Sequence, residues 1–294
     1  MEIVTWNIQF GLGTDGIASL ERIAARILEK GRPEVVCLQE VARFLPSLGP
    51  CAAGDQVAAL AALFDGYRAV YGPAIERQSA SGVNNRTLEF GNLILSRLPV
   101  IQVFRHPLPQ PAAAGVKHMP RQATEVVVQS GEHPLRIITT HLEFHSEPQR
   151  KAQVERLKAL QQEAHDNERL VAATVSEGPY AAVPRPQDAI VCGDFNAEPN
   201  DAVYRAMLSS IEGRSGNLFQ DAWRVLKGDA PHDGTCGLDD PKQWPQGLHC
   251  RDYFFVSERL AAGLVDIWID QETCASDHLP VWLRLYPTAA KPEP

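Results

Sequence analysis

Apolar and polar positions along the chain fall into short β-branched runs set off by loops, with a few stretches of helical spacing between them. Glu2 to Ile8 reads as a strand from its β-branched and aromatic content, and it ends in Asn7 before Gly11 and Gly13 open a loop. Ile17 to Lys30 places Ile17, Leu20, Ile23, Ala24, Ile27 and Leu28 at the spacing of an amphipathic helix, which Gly31 and Pro33 stop. Val35 to Leu38 is too short and too β-branched for a helix and runs into Gln39 and Glu40, so a second strand delivers a carboxylate at its end. Asp55 to Phe64 predicts a short helix and Tyr67 to Tyr71 a short strand. Gly72 to Glu89 is unpatterned and predicts a surface loop with room for substrate contacts.

The second half repeats the theme. Gly91 to Val100 predicts a strand, a turn at Pro99 and a returning strand through Arg105, with Asn92 at the start of the first. Pro107 to Pro120 cannot be regular, and it leads to Arg121, an isolated cation ahead of a strand from Ala123 to Gln129. His141 follows the strand Leu135 to Thr140, and Glu147 to about Asp166 is the clearest helix. Arg169 to Gln187 loses the pattern and becomes a connector. Ala189 to Cys192 is a buried strand that carries Asp194 out to a loop punctuated by Gly193 and Pro199, with Asn196 two residues on. Ala202 to Leu208 is a helical turn or two, and Asp221 starts another short piece. Gly228 to His249 is a long loop holding Trp244 and His249, of the length that is usually functional or mobile. Asp252 opens the aromatic strand to Ser257, Val265 to Ile269 is a further strand, and Asp277 and His278 precede the last, Leu279 to Leu283.

Composition narrows the possibilities. At 294 residues and 44% hydrophobic the chain can bury a substantial core. We read residues 1–286 as the folded catalytic unit and 287–294 as a loose tail. No apolar run reaches bilayer length and the first residues do not read as an export signal, so the expectation is an unexported, cytoplasmic monomer without stable membrane insertion. The six cysteines show no Cys-x-x-Cys spacing, which speaks against structural zinc, and Cys236 with Cys250 is the one pair that could bridge across a loop. A net charge of -8 without clustered Lys and Arg speaks against affinity built from many phosphate contacts along a duplex. It leaves a single phosphate open as a target, because a divalent ion can neutralise a local acidic site.

Asn7, Glu40, Asn92, His141, Asp194, Asn196, Asp252, Asp277 and His278 all fall at or beside the end of a strand-like run. Separately, each is a common strand terminus or turn residue. Together they are rich in oxygen and imidazole donors, which suggests one site assembled at a common edge of a sheet and suited to a hard cation, Mg²⁺ or Mn²⁺.

In this order along the chain, Thr5-Trp6-Asn7-Ile8, Leu38-Gln39-Glu40-Val41, Gly91 to Arg97, Thr140-His141-Leu142, Gly193-Asp194-Phe195-Asn196, Asp252 to Val256 and Ser276 to Val281 resemble the motifs of the endonuclease/exonuclease/phosphatase superfamily of metal-dependent phosphoesterases. The resemblance implies a four-layer αββα sandwich of two mainly antiparallel sheets packed face to face, with helices outside and the site at one edge. It implies Glu40 as the principal metal ligand with Asn7 and Asp277, and Asp194 and Asn196 as the holders of an attacking water. His278 then donates to a non-bridging oxygen, oriented by Asp252, while His141 and Asn92 contact the phosphate; Arg121 is assigned to substrate binding. The implied activity is hydrolysis of phosphate esters by in-line water attack, first of all as a phosphodiesterase or endonuclease. Alternatives are a phosphomonoesterase, a lipid or inositol phosphate hydrolase with the same site, and a binding module that has lost turnover. The substrate class is correspondingly a nucleic acid, a nucleotide-like ester or a lipid or inositol phosphate. Arg251 stands where many relatives carry an aliphatic residue, so it is expected to face the site or pair with an acid of the 228–249 loop.

Overall fold

Alternate residues of a strand face opposite sides of its sheet, and here both sets are largely apolar, so each sheet needs cover on two sides. A computed structural model describes residues 1–79, 86–169, 178, 181, 183–210 and 218–286. One sheet contains β1 (Glu2–Asn7), β2 (Val35–Arg43), β3 (Arg68–Gln78), β4 (Thr87–Ser96), β11 (Leu264–Ile269) and β12 (Val281–Leu285). The other contains β5 (Val100–Pro107), β6 (Gln122–Ser130), β7 (His133–His141), β8 (Ala189–Asp194), β9 (Phe219–Asp221) and β10 (Asp252–Ser257). The helices are α1 (Leu20–Lys30), α2 (Gln56–Leu63), α3 (Glu147–Arg169), α4 (Ala202–Leu208), α5 (Ala222–Lys227) and α6 (Glu258–Ala261).

The strand orders are β11-β12-β1-β2-β4-β3 and β5-β6-β7-β8-β10-β9. Each sheet has one parallel pair, β1 with β2 and β7 with β8, and is otherwise antiparallel. A parallel pair needs a crossover, which α1 and α3 supply. On β1, Ile3 enters the layer between the sheets while Val4 and Trp6 pack under Ile23 and Ile27 of α1 and Leu60 of α2. On β8, Ile190 and Cys192 face inward while Ala189 and Val191 pack with Val154 and Leu157 of α3 and Val203 and Met207 of α4. The result is the four-layer αββα sandwich that the motifs implied.

The inward layer changes character along its length. It is aliphatic at Ile3, Val35, Leu135, Ile137 and Ile190, then turns polar at Thr5, Gln39 and Thr139, all buried. Gln39 Nε2 donates to Thr5 Oγ1 at 3.0 Å and, across the sandwich, to Thr139 Oγ1 at 2.8 Å.

Several expectations need correction. The Gly72 to Glu89 stretch is not a loop at its flanks: β3 continues to Gln78 and β4 begins at Thr87, paired through a shift between Pro73 and Ile75 that absorbs the proline. Residues 80–85 of that stretch lie outside the described residues, as do much of the 169–187 connector and the whole 287–294 tail. The strand at Val35 does not end at Leu38 but runs to Arg43, which puts Glu40 inside it. Helix α1 starts at Leu20 because Ser19 caps it, its Oγ accepting from Arg22 N at 3.3 Å, and Ile17 is left 57% exposed. All six cysteines are free thiols. Among the described residues no helix is long and apolar enough to cross a membrane.

The outer face of the second sheet buries an ion cluster. Glu125 on β6 and Arg136 on β7 are fully buried and 2.8 Å apart, with Arg185 at 3.1 Å and His106 at 2.9 Å from the same carboxylate. Burial opposes ionisation of Glu125, but His106, Arg136 and Arg185 outweigh it and hold its carboxyl below the usual value of 4.5. A depressed folded-state value stabilises the fold above that pH and is lost as pH falls through the folded value. Glu125→Gln, which leaves Arg136 buried without its counter-charge, should therefore cost about 3–5 kcal/mol in urea denaturation at pH 7. The difference from the unaltered protein should narrow as the pH is taken below 4.5.

Candidate active site

Strand termini of both sheets and the loops that follow them meet around a cleft of about 200 Å³. Asn7 closes β1, His141 closes β7, Asp194 closes β8 and Asp252 opens β10. Each continues the inward-facing set of its strand, so the chemistry stands at the open end of the inter-sheet layer. Register sets His141 beside Asp194 on the parallel pair and Asp252 opposite Asp194 on the antiparallel one. Gly193 permits this: its φ is 132°, and a Cβ there would lie 2.0 Å from Thr140 O.

Glu40 reaches the cleft by another route. Gln39 already occupies the inward position, and a regular strand would turn Glu40 toward the helices. A bulge against β4 between Leu38 and Val41, with Glu40 at φ 60°, turns its carboxylate inward instead. There it lies 3.2 Å from Asn7 Nδ2 and 3.9 Å from His141 Nδ1. Left-handed backbone at a residue other than glycine costs about 1–3 kcal/mol and tends to persist where a site requires it.

The other groups interlock. Asn7 Nδ2 also donates to Asp194 Oδ2 at 3.1 Å, and Asn7 Oδ1 accepts from Gln9 N at 3.1 Å. Asp194 Oδ1 accepts from Asn196 N at 2.8 Å, and Asn196 Nδ2 lies 2.9 Å from both His141 Nε2 and Leu142 O. His141 Nε2 is 3.3 Å from Asp194 Oδ2, and His278 Nε2 stands 3.6 Å from the same oxygen. His278 Nδ1 is 2.8 Å from Asp252 Oδ2, which also accepts from Thr235 Oγ1 at 2.6 Å. Asp277 accepts from Gln243 Nε2 at 2.8 Å and Trp244 Nε1 at 3.3 Å.

Arg121 is not isolated. It is buried, lines the cleft, and pairs through Nε with Glu143 at 3.4 Å, while its Nη1 is buried without a partner. Asn92 stands one layer deeper, donating to Gln122 O at 3.2 Å beside a small cavity it shares with Glu40, Arg121 and His141. Of the two expectations for Arg251, pairing with an acid of the 228–249 loop is not what the structure shows: it stands at the rim over Trp244, donates to His249 Nε2 at 2.8 Å and lies 3.9 Å from Glu198.

Electrostatics separate the two histidines. Burial, reinforced by Arg121, lowers His141 to about 3, so it is a neutral imidazole. Burial also works against charging His278, but Asp252, Asp194 and Asp277 outweigh it and raise that ring well above its ordinary value. Burial likewise opposes the Asp194 anion, yet His141, His278 and the bonds from Asn196 and Asn7 hold its carboxyl below the usual range. Glu40 is pushed up to about 7 by burial and by the facing Asp277.

That uncompensated acidity fits a divalent cation. Among the described residues no Lys or Arg pairs with Glu40, Asp194 or Asp277, and these three carboxylates with Asn7 and Asn196 offer oxygens of the hard type to the cleft. Asp194, Asp252 and His278 also bring one ligand atom each within 4.8 Å of one another. Because His278 Nδ1 is committed to Asp252 and the ring is cationic, that trio reads as a hydrogen-bonded Asp252–His278 pair with Asp194 as a neighbouring ion 3.6 Å away.

The sequence profile of the Endonuclease/Exonuclease/phosphatase family matches residues 4–278. The chain belongs to that family. Its members are phosphoesterase hydrolases and depend on metal. Among solved structures, one from Beutenbergia cavernae in this family is 23% identical, with a TM-score of 0.63 over 97% of this chain and 71% of its own. A mannosyl-6-phosphatase from Bacteroides thetaiotaomicron is 16% identical, with a TM-score of 0.63 over 97% of this chain and 99% of its own. A 3′ phosphatase from Neisseria, bound to a product DNA hairpin, is 19% identical, with a TM-score of 0.59 over 97% of this chain and 99% of its own. At these identities the likeness is one of fold. The comparison with curated proteins found no match.

Sequence reasoning missed the residues that hold the family's groups in place. Glu143 neutralises Arg121, Ser276 Oγ donates to Asn7 O at 2.7 Å, and Gln243 and Trp244 fix Asp277. Thr235 carried no signal at all, although its hydroxyl accepts from Arg251 N at 2.9 Å and Asp252 N at 3.1 Å while donating to the Asp252 carboxylate. Thr235→Val keeps the shape and strands these buried partners, so it should cost about 1–3 kcal/mol of stability by urea melts. A variant as stable as the unaltered protein would show that the hydroxyl holds nothing.

Proposed function

We propose that the protein hydrolyses phosphate esters with a divalent cation, first of all phosphodiesters, by in-line attack of water. The observation that carries this reading is the convergence, on one cleft that Arg121 also lines, of a carboxylate held ionised, Asp194, and an imidazolium, His278, whose Nε2 lies 3.6 Å from it. A base for water and a donor for the developing oxyanion are what a phosphoryl transfer needs.

Asp194 takes the proton from the attacking water, which Asn196 helps to hold. The new P–O bond forms in line with the ester P–O bond that breaks, and the departing alcohol oxygen takes a proton from solvent. His278 donates to a non-bridging phosphoryl oxygen as negative charge builds, and Asp252, fixed by Thr235, keeps the ring oriented. His141 and the partnerless Nη1 of Arg121 contact the phosphate, with Asn92 behind them. Glu40, with Asn7 and Asp277, would hold Mg²⁺ or Mn²⁺, which supplies Lewis-acid polarisation of the phosphoryl group. Asn7 also spaces the Glu40 and Asp194 carboxylates by donating to both. We read residues 1–286 as the catalytic unit of a cytoplasmic monomer.

A phosphomonoester is the second reading. Arg121 Nη1, buried without a partner, and His278 put donors at one small cleft for the oxygens of a terminal phosphate, and the mannosyl-6-phosphatase and 3′ phosphatase share the fold.

Assays on diester and monoester substrates with Mg²⁺, Mn²⁺ or EDTA test both. Turnover should need the metal and fall by about a hundredfold or more in Asp194→Asn and in His278→Ala. Full activity in either variant would remove the role assigned to that residue.

A further inference from the structure

Phe144 interrupts the polar rim of the cleft. It is 41% exposed, and among the described residues it is the only exposed large apolar side chain that lines this cleft. It is also held firmly. Arg150 Nη1 donates to the carbonyls of Glu143 and Phe144 at 2.9 and 2.6 Å, which fixes the backbone on both sides of the peptide. The ring meets Trp244 edge to face at 5.9 Å, and the Arg251 guanidinium lies 4.8 Å from the Trp244 ring centre and 5.7 Å from that of Phe144. Trp244 in turn is buried and tied to Asp277, so the platform is continuous with the catalytic groups.

Rigid aromatic faces backed by arginine are the way proteins bind unpaired bases, because every base offers a π-face. We propose that Phe144, supported by Trp244 and Arg251, stacks the base of a single nucleotide whose phosphate occupies the catalytic groups. Gln9 and Gln243 line the same cleft, their amides bonded to one another at 3.4 Å and Gln243 Nε2 to Asp277 at 2.8 Å, and the amide hydrogens and lone pairs left over suit the polar edge of a base better than a plain hydrocarbon ring. The volume of about 200 Å³ is below the roughly 300–1,000 Å³ of a drug-sized pocket, so the cleft has no room for a second nucleotide. The net charge of -8 does not favour the many phosphate contacts that a longer strand would make. The substrate class is thus a nucleotide ester or the terminal nucleotide of an unpaired strand.

This deepens the phosphoesterase reading and rests on it, so the test is one of binding and does not require turnover. Calorimetric titration with adenosine 5′-monophosphate and with ribose 5-phosphate, in EDTA, compares the same phosphate with and without a base. The nucleotide should bind at least about tenfold tighter, equivalent to about 1.4 kcal/mol, and Phe144→Ala should bring the ratio of the two affinities close to one while Phe144→Tyr restores it. Equal affinities in the unaltered protein, a ratio that survives Phe144→Ala, or no binding of either compound would overturn the proposal. A base-dependent affinity in a protein that turns over no phosphate ester would keep this site and discard the hydrolase.

Discussion

The layer between the two sheets is the constraint on which the rest of the structure depends. It is a close-packed aliphatic core for most of its length, and a core of that kind cannot admit a polar side chain without a partner. At one end it must nevertheless meet water and substrate. Gln39 makes that transition, one amide nitrogen bridging Thr5 of one sheet and Thr139 of the other. Beyond it, the same inward positions carry Asn7, His141 and Asp194. Catalytic groups on strand termini are held by hydrogen-bonded ladders on either side, which gives a precision that side chains on free loops would lack.

Two departures from regular strand geometry complete the site. The bulge in β2 turns Glu40 from the helix side to the cleft, and Gly193 lets β8 run close enough to β7 to set Asp194 beside His141. Each breaks a local rule, and each is compensated by the surrounding ladders. The two histidines show the same economy of placement. His141 is buried, with Arg121 reinforcing the effect, and loses its proton, whereas His278, equally buried, lies among Asp252, Asp194 and Asp277 and keeps it. One imidazole is neutral and the other cationic.

The long 228–249 loop is joined to this arrangement and is more than a cover over it. Thr235 and Cys236 bond back to His249, Gly237 N bonds to Asp277 O at 3.1 Å, and Leu279 N to Thr235 O at 2.6 Å. The loop therefore fixes the Asp277 and His278 segment from one side and presents Trp244 to the cleft from the other. One piece of chain thus braces the Asp277 and His278 segment and lines the cleft.

The sequence by itself determined most of the strands, the main helices, the apolar cores and the order of polar strand ends, because side-chain periodicity and turn residues are local properties. The spacing of those ends along the whole chain was enough to indicate the family. Tertiary structure alone decided how they meet. The inward turn of Glu40 comes from pairing with β4, and the buried pairing of Arg121 comes from Glu143, distant from it in the chain. The hairpin through Gln78 and Thr87 arises because two stretches without a strong pattern complete each other's hydrogen bonds. Thr235 could not be read at all, since a hydroxyl in a polar loop looks the same whether it faces solvent or holds a buried aspartate. Contacts between residues remote in sequence leave no periodic trace, and the site is made almost entirely of such contacts.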